Sequence, residues 1–543
     1  MCKRNIFFLS VLSGVLLTPA WYSWGSGIFL FIAFIPLLMA EDIIRKSEKP
    51  GQKIFRYAFL SFFIWNLLST WWIKNASFAG MTVAILLNSF LMTLPFWLFS
   101  LTRKKLGDFR GYFSLVLYWT GFEYLYLNGE ISWTWLNLGN GMANNIRLIQ
   151  WYEYTGTLGG TVWILLINIL IYQLIVKYKA LKSWNQIKTE MILTAIIILG
   201  PIMLSLYRFY TYREKSDPYE ILVIQPNIDP YMKFNDIPAA EQMRMLIRIA
   251  DTFVTPSTDY IVVPETFITD NLWLDQINEH TGIRMLKNFH SGFQQSSIVI
   301  GAVTYKIYKN PAEITGTAKP IDGFFYDSFN SALQIDSTDK IQVYHKSQLV
   351  VGVEKMPYPN TLRFLRSLTV RLGGTFRSHG IQDHRDTFVS PSGKCRVAPV
   401  ICYESVFGEY VTEYISEAGA NFIFVITNDG WWGDTPGYVQ HNSFSRLRAI
   451  ETRRSIARSA NTGISAFINQ KGEITKSLGW WKRGGILSHL NANDKLTFYV
   501  RHGDFPGRIA LATGLIILMI LGIQSIIIPI MERKKKRKGA KTQ

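Results

Sequence analysis

Apolar residues gather in long blocks at the two ends of this 543-residue chain and in short runs between them. The long blocks lie near residues 5–19, 23–40, 57–74, 79–101, 112–128, 158–176, 190–210 and 507–531. Several reach the ~20 residues that a helix needs to cross a bilayer core, although the first and fifth are shorter. They predict a multi-pass α-helical membrane domain of about eight spans. Between the seventh and eighth blocks the composition turns ordinary and polar, and short β-branched runs take over: ILVIQP (221–226), YIVVPE (260–265), SIVIGAVTY (297–305), YDSFNSALQID (326–336), VAPVICYE (397–404), NFIFVIT (421–427) and ISAFINQ (464–469). Helix-like stretches at 239–253 and 438–457 lie among them. Strands apolar on both faces and interleaved with helices predict a layered α/β domain with buried sheets. The expected division is 1–216 for the N-terminal membrane domain, 217–503 for the soluble α/β domain, 504–531 for a last transmembrane helix and 532–543 for a basic tail.

Charge fixes an expected orientation. The net charge of +18 invites a nucleic-acid reading. However, Lys and Arg crowd into 3–4, 45–56, 103–110, 177–188 and the tail, while the alternate short loops hold only Lys74 and Arg147. That asymmetry is a topology pattern, so no nucleic-acid partner is expected. It puts both termini on the cytoplasmic side and residues 217–503 on the outer face. Lys3 and Arg4 ahead of a short apolar run ending near Thr18-Pro19-Ala20 also fit a cleavable leader, which would change the span count and not the side of the α/β domain. One acid, Glu123, falls inside a span: it either lines a lipid or proton path or hydrogen-bonds a neighbouring helix.

Three cysteines, Cys2, Cys395 and Cys402, exclude a disulfide framework. Cys395 and Cys402 lie on one apparent strand, and seven residues at about 3.3 Å each separate them by roughly 23 Å, too far to bond. Cys2, just ahead of a span, is expected to be inert. The eight histidines form no HxxxH and there is no CxxC, so no metal site is expected.

Three reactive residue types stand where strands end. Glu265 follows IVVP, Lys346 follows IQVYH and Cys402 closes APVI. Strand ends are where α/β domains assemble sites. A carboxylate can take a thiol's proton, and an ammonium can favour the thiolate and stabilise an oxyanion, so the trio suits acyl transfer through a thioester. Each residue also has a plainer role: Cys402 in core packing, Glu265 capping a helix at TFITDNLW, Lys346 in solvent.

The strings VVPETF, YHKSQLVVGVE and VICYES, in that order, resemble the Glu, Lys and Cys motifs of the nitrilase superfamily. With seven spans before that domain and one after it, the chain resembles the membrane-bound branch of that superfamily, the apolipoprotein N-acyltransferases. Supporting strings are IQPNI, WLNLGN, GTLGG, TNDGWWGDTPGYVQH and RAIETRRSIARSANTGISAFIN. The resemblance implies a nitrilase-like αββα sandwich and no cofactor. It implies Glu265 as general base, Lys346 as oxyanion-stabilising cation and Cys402 as nucleophile, with Glu354, Tyr403 and Glu404 in support. Phe234, Trp431 and Trp432 would meet lipid near the mouth of the site. It further implies a bacterial inner-membrane enzyme with a periplasmic catalytic domain. A phospholipid would donate an acyl chain through a Cys402 thioester to the α-amino group of a diacylglyceryl apolipoprotein. The chain departs from the family at two points. Lys233-Phe234 stands where Lys-Trp is frequent, and Val351-Gly352-Val353-Glu354 where Pro-Phe-Gly-Glu is frequent.

Other functions compete with this one. A membrane-bound nitrilase-like amidase would release the acyl group to water, and the acceptor, amine or water, separates the two. A transporter with an accessory domain would call for intramembrane charge and paired broken helices, neither of which the spans suggest. A lipid-binding scaffold that lost its chemistry would not need to keep all three reactive residues.

Overall fold

The computed structural model describes residues 3–234, 236–358, 361 and 378–524; Cys2 and the basic tail lie outside them. Each long apolar block is helical: Lys3–Leu17, Ile35–Arg45, Pro50–Thr70, Phe78–Leu106, Asp108–Asn128, Tyr152–Leu181, Lys188–Thr211 and Phe505–Gly522. Local sequence explains where they begin and end. Pro50 starts its helix at a position where a missing N–H costs nothing. The hydroxyl of Ser77 caps the next by accepting from the Gly80 N–H at 3.0 Å, and that helix stops at Gly107, φ 87°, after Arg103, Lys104 and Lys105. Among the described residues, six helical segments are long and apolar enough to cross a membrane. Pro50–Thr70 and Asp108–Asn128, at 21 residues each, are as long but more polar, and both pack inside the bundle. Ile192, Ile196, Leu199 and Met203 leave Lys188–Thr211 with an exposed apolar face suited to lipid.

Glu123 has the structural role of its two readings. Its carboxylate is buried and accepts from Trp119 Nε1 at 3.0 Å, the Leu138 N–H at 2.8 Å and Thr161 Oγ1 at 2.6 Å. It thereby ties the irregular 132–142 segment to two helices.

The α/β part holds two sheets. The first contains β1 (Pro218–Gln225), β2 (Thr258–Val262), β3 (Ile268–Trp273), β4 (Ser297–Tyr308), β5 (Lys319–Ile321), β6 (Phe324–Ile335), β7 (Gln342–His345) and β14 (Gly484–Asn491). Its path is β14-β1-β2-β4-β6-β5, with β3 on β4 and β7 on β6. The second runs β13 (Ile474–Leu478), β12 (Ser465–Ile468), β11 (Ser455–Ala460), β10 (Phe422–Thr427), β9 (Arg396–Ile401), β8 (Phe388–Val389). The sheets pack face to face through pairs such as Tyr260 with Phe424, ring centroids 5.1 Å apart. Helices Ala239–Phe253 and Thr281–His290 cover the outer face of the first sheet, and Gly408–Ser416 and Pro436–Thr452 that of the second. The architecture is an αββα sandwich. TFITDNLW, weighed as a helix that Glu265 might cap, is strand β3 instead, because Phe267 and Ile268 bury into the first sheet's core.

A single apolar core continues from the membrane helices into the second sheet. Helix Pro436–Thr452 makes the joint. Gln440 is buried, with Oε1 accepting from Trp72 Nε1 at 3.2 Å and Trp135 Nε1 at 2.6 Å, while its Nε2 donates to the carbonyls of Trp21 at 2.9 Å and Ser69 at 3.2 Å. Thirteen residues further on, Arg453 pairs with Glu153 at 2.7 Å.

Candidate active site

The ends of β2, β7 and β9 bring Glu265, Lys346 and Cys402 together. Glu265 follows Pro264 after β2, and the chain then turns through Thr266 at φ 48°. The turn lies against Gly301 of β4, where an added Cβ would sit 2.5 Å from the Glu265 Cα; only glycine fits. Lys346 leaves β7 with its N–H bonded to the Asn330 carbonyl at 2.8 Å. Cys402 ends β9 and opens the short 3-10 turn Cys402–Val406 at φ 49°. A non-glycine residue in that region is strained by roughly 1–2 kcal/mol, which marks the corner as held by its surroundings.

The polar contacts converge on Lys346. Its buried Nζ donates to Glu265 Oε1 at 3.1 Å and to Glu354 Oε1 at 2.9 Å. Asn330 Nδ2 donates to the same two oxygens at 2.8 and 3.0 Å. The Asn428 N–H reaches Glu265 Oε2 at 3.1 Å, and the Val350 N–H reaches Glu354 Oε2 at 2.8 Å. These bonds and the Lys346 charge outweigh burial and hold Glu354 below the usual carboxylate range, while its two acidic neighbours hold Lys346 well above the usual lysine range.

Cys402 is unpaired, as is Cys395 at the far end of β9. Burial, then the facing Glu265 charge, push its thiol well above the ordinary range; Lys346 opposes them and does not win. Lys346 thus acts in the expected direction, toward the thiolate, while its ammonium is shared with two carboxylates.

The other predicted residues divide. Glu404 does not face the thiol. Buried, it accepts from the N–H groups of Ile401 and Ser347 at 2.8 Å each and from the hydroxyls of Tyr344 at 2.9 Å and Tyr410, tying the Cys402 corner to the Lys346 strand end. Tyr403 turns the opposite way and donates to the Ser132 carbonyl of the membrane part. Phe234 is 45% exposed beside exposed Tyr231 and Met232. Trp431 meets the Tyr231 ring at 5.3 Å. Trp432 is half-buried against Trp72 at 4.9 Å and Trp135 at 5.6 Å, and its carbonyl accepts from Asn75 Nδ2 at 2.7 Å.

Sequence reasoning missed Asn330 and the buried cluster of Asp429, His441 and Arg458, and named Lys233 only as the neighbour of Phe234. A polar residue in the fully buried end of β6 is the signal for Asn330. Lys233 Nζ donates to the Glu265 main-chain carbonyl at 3.1 Å, and burial brings its pKa down to about 7. Behind the Cys402 corner, Asp429 receives Thr427 Oγ1 at 2.8 Å and Arg458 Nη2 at 2.7 Å, and faces His441 Nδ1 at 2.8 Å. Asp429 and His441 stand at either end of the TNDGWWGDTPGYVQH string, but nothing in it marks them as partners of Arg458.

Comparison with known proteins matches both parts of the chain. Residues 13–170 match the apolipoprotein N-acyltransferase N-terminal domain, and residues 223–494, half of the chain, match the carbon-nitrogen hydrolase family. The apolipoprotein N-acyltransferase of Chlorobaculum tepidum is 27% identical over 534 residues, covering 95% of this chain and 97% of that protein. Those of Thermotoga maritima and Geobacter metallireducens are each 26% identical, covering 92% of this chain and 90% and 92% of their own lengths. With a carbon-nitrogen hydrolase domain carried on the N-terminal domain of these acyltransferases, and similarity sustained from end to end, the chain belongs to the carbon-nitrogen hydrolase family in its membrane-bound branch, the apolipoprotein N-acyltransferases, and is an acyltransferase enzyme.

Proposed function

We propose that this enzyme moves an acyl chain from a phospholipid, through a thioester on Cys402, to the α-amino group of the S-diacylglyceryl cysteine of an apolipoprotein. The observation that carries this reading is the shared ammonium: Lys346 bonded at once to Glu265 and Glu354 within charge range of Cys402, in a chain of this family. As Sγ attacks the ester carbonyl, Glu265 takes the thiol proton, and the Lys346 ammonium stabilises the oxyanion. Collapse breaks the ester C–O bond, and the proton passes from Glu265 to the departing lysophospholipid oxygen. The amine then attacks the thioester and yields a proton to Glu265. The C–S bond breaks, an amide forms and the thiol is restored. Glu354 keeps Lys346 in place, Tyr403 and Glu404 hold the corner, and Phe234, Trp431 and Trp432 line the approach of lipid. No cofactor is required.

The same reading puts the reaction at the outer face of the bacterial inner membrane. A periplasmic catalytic unit over 217–503 would be anchored by the helices on either side, with both termini cytoplasmic, in line with the Lys and Arg asymmetry. Intact-mass spectrometry of the purified protein with phospholipid tests the chemistry. A hydroxylamine-sensitive acyl adduct is expected in the wild type and absent from Cys402→Ala; an adduct that persists in Cys402→Ala sinks the assignment. Transfer of the trapped acyl group to an added diacylglyceryl-cysteine peptide, rather than to water, is the expected second half-reaction.

A further inference from the structure

The mechanism above uses the side chain of Cys402 and leaves unexplained what keeps its main chain in a strained conformation. The turn that it opens is gripped from one helix, Pro436–Thr452. Two residues seven apart on that helix point at the turn's carbonyls. His441 Nε2 lies 3.2 Å from the Cys402 carbonyl oxygen, and Arg448 Nη1 donates to the Val406 carbonyl at 2.7 Å. Both side chains are buried.

The imidazole is itself held from every side. Asp429 Oδ1 faces Nδ1 at 2.8 Å; burial opposes the charge of Asp429, but Arg458, His441 and the Thr427 hydroxyl together bring the carboxyl down to about 2. A standing carboxylate beside Nδ1 fixes a proton there. Nε2, left as an acceptor, cannot itself donate to the Cys402 carbonyl; the proton between them is that of the Ser405 hydroxyl, which lies 3.0 Å from Nε2 and 2.7 Å from the Cys402 carbonyl oxygen and links the two. The ring is clasped between Trp135 and Trp432, centroids 5.7 and 5.6 Å away. A buried neutral imidazole has a donor and an acceptor nitrogen to satisfy. This one has a buried acid on one nitrogen and the nucleophile's own carbonyl and turn on the other.

We propose that His441 is a positioning residue for acyl transfer: oriented by Asp429, its Nε2 seats the Ser405 hydroxyl that bridges to the main-chain carbonyl of Cys402, and so steadies the left-handed corner that presents the thiol to Glu265 and Lys346. The proposal rests on Cys402 being the nucleophile. It assigns His441 no contact with substrate and no proton transfer to it.

Two substitutions separate this role from simple packing. His441→Asn keeps a polar group near the Nδ1 position, within reach of Asp429, and leaves nothing at the Nε2 position; His441→Gln reaches the Nε2 position and can donate or accept there. Thioester formation with a phosphatidylethanolamine donor is followed in single turnover, by intact mass, over a range of donor concentration. Asparagine is expected to slow the limiting rate of thioester formation by at least about tenfold while the half-saturating lipid concentration stays within about twofold, and glutamine to recover most of the lost rate. Wild-type rates in His441→Asn overturn the proposal. So do equal losses in both variants, or a loss that falls on the half-saturating concentration alone. Should the wild type form no adduct, the nucleophile assignment itself fails and takes this role with it, an outcome distinct from the others.

Discussion

Lys233 is the residue at which burial, charge and chemistry pull hardest against one another. Its ammonium is sealed beside Glu265 with two neutral oxygens, the Glu265 carbonyl and Thr266 Oγ1 at 3.5 Å, as its hydrogen-bond acceptors. Because its folded pKa of about 7 lies below the ordinary lysine value of 10.5, the unfolded chain binds more protons between those values, and folding stability rises with pH across that window. Thermal unfolding of wild type and Lys233→Met, measured in detergent from pH 7 to pH 10, should show that rise in the wild type and lose this component in the variant; parallel curves would mean that Lys233 is not charge-strained. How much of the site could be read in the sequence depended on what each residue does. Glu265, Lys346 and Cys402 each close a β-branched run, so their places at strand ends were legible. Asn330 and His441 were not, because each takes its role from partners distant in the chain, Glu265 and Glu354 for the first and the Cys402 turn for the second.

At the scale of elements, the site depends on strands approaching more closely than side chains usually allow. The turn after β2 crosses β4 at Gly301, whose N–H donates to the Pro264 carbonyl at 3.1 Å and whose carbonyl accepts from the Phe267 N–H at 2.8 Å. Gly301→Ala would drive its methyl group into the Glu265 main chain. The expected result is a folded enzyme whose rate of thioester formation falls by more than about a hundredfold, since a displacement near 1 Å at the base suffices for that loss. Wild-type rates in single turnover would show that the turn can yield without moving the carboxylate. The long runs that became β1, β4, β9 and β10 were plain in the sequence. The short strands β5 and β8, at three and two residues, carry no period of their own and exist only as partners of β6 and β9. The pairing of β14 beside β1 joins the two ends of the α/β domain, a long-range register that no local pattern announces.

Across the whole molecule, the catalytic and membrane parts are joined by buried polar contacts rather than by a hinge. Gln440 satisfies two indole N–H groups and two carbonyls from three separate segments of the membrane part. Gln440→Leu would strand them. At about 1–3 kcal/mol for each group left unpaired, the melting point should fall by on the order of 5 °C or more, read by differential scanning fluorimetry in detergent. A shift under 1 °C would mean that the joint is held by apolar contact alone. The eight apolar blocks told how many helices to expect, but this joint was invisible: Gln440 is one polar residue in a helix with many. Its rigidity has a consequence for substrate choice. Tyr403 is tied to Ser132 and Trp432 is seated on Trp72, so the Cys402 corner is fixed relative to the membrane part. On the proposed chemistry such a joint would act as a ruler, selecting substrates by how far their reacting carbonyl or amine can stand off from the bilayer.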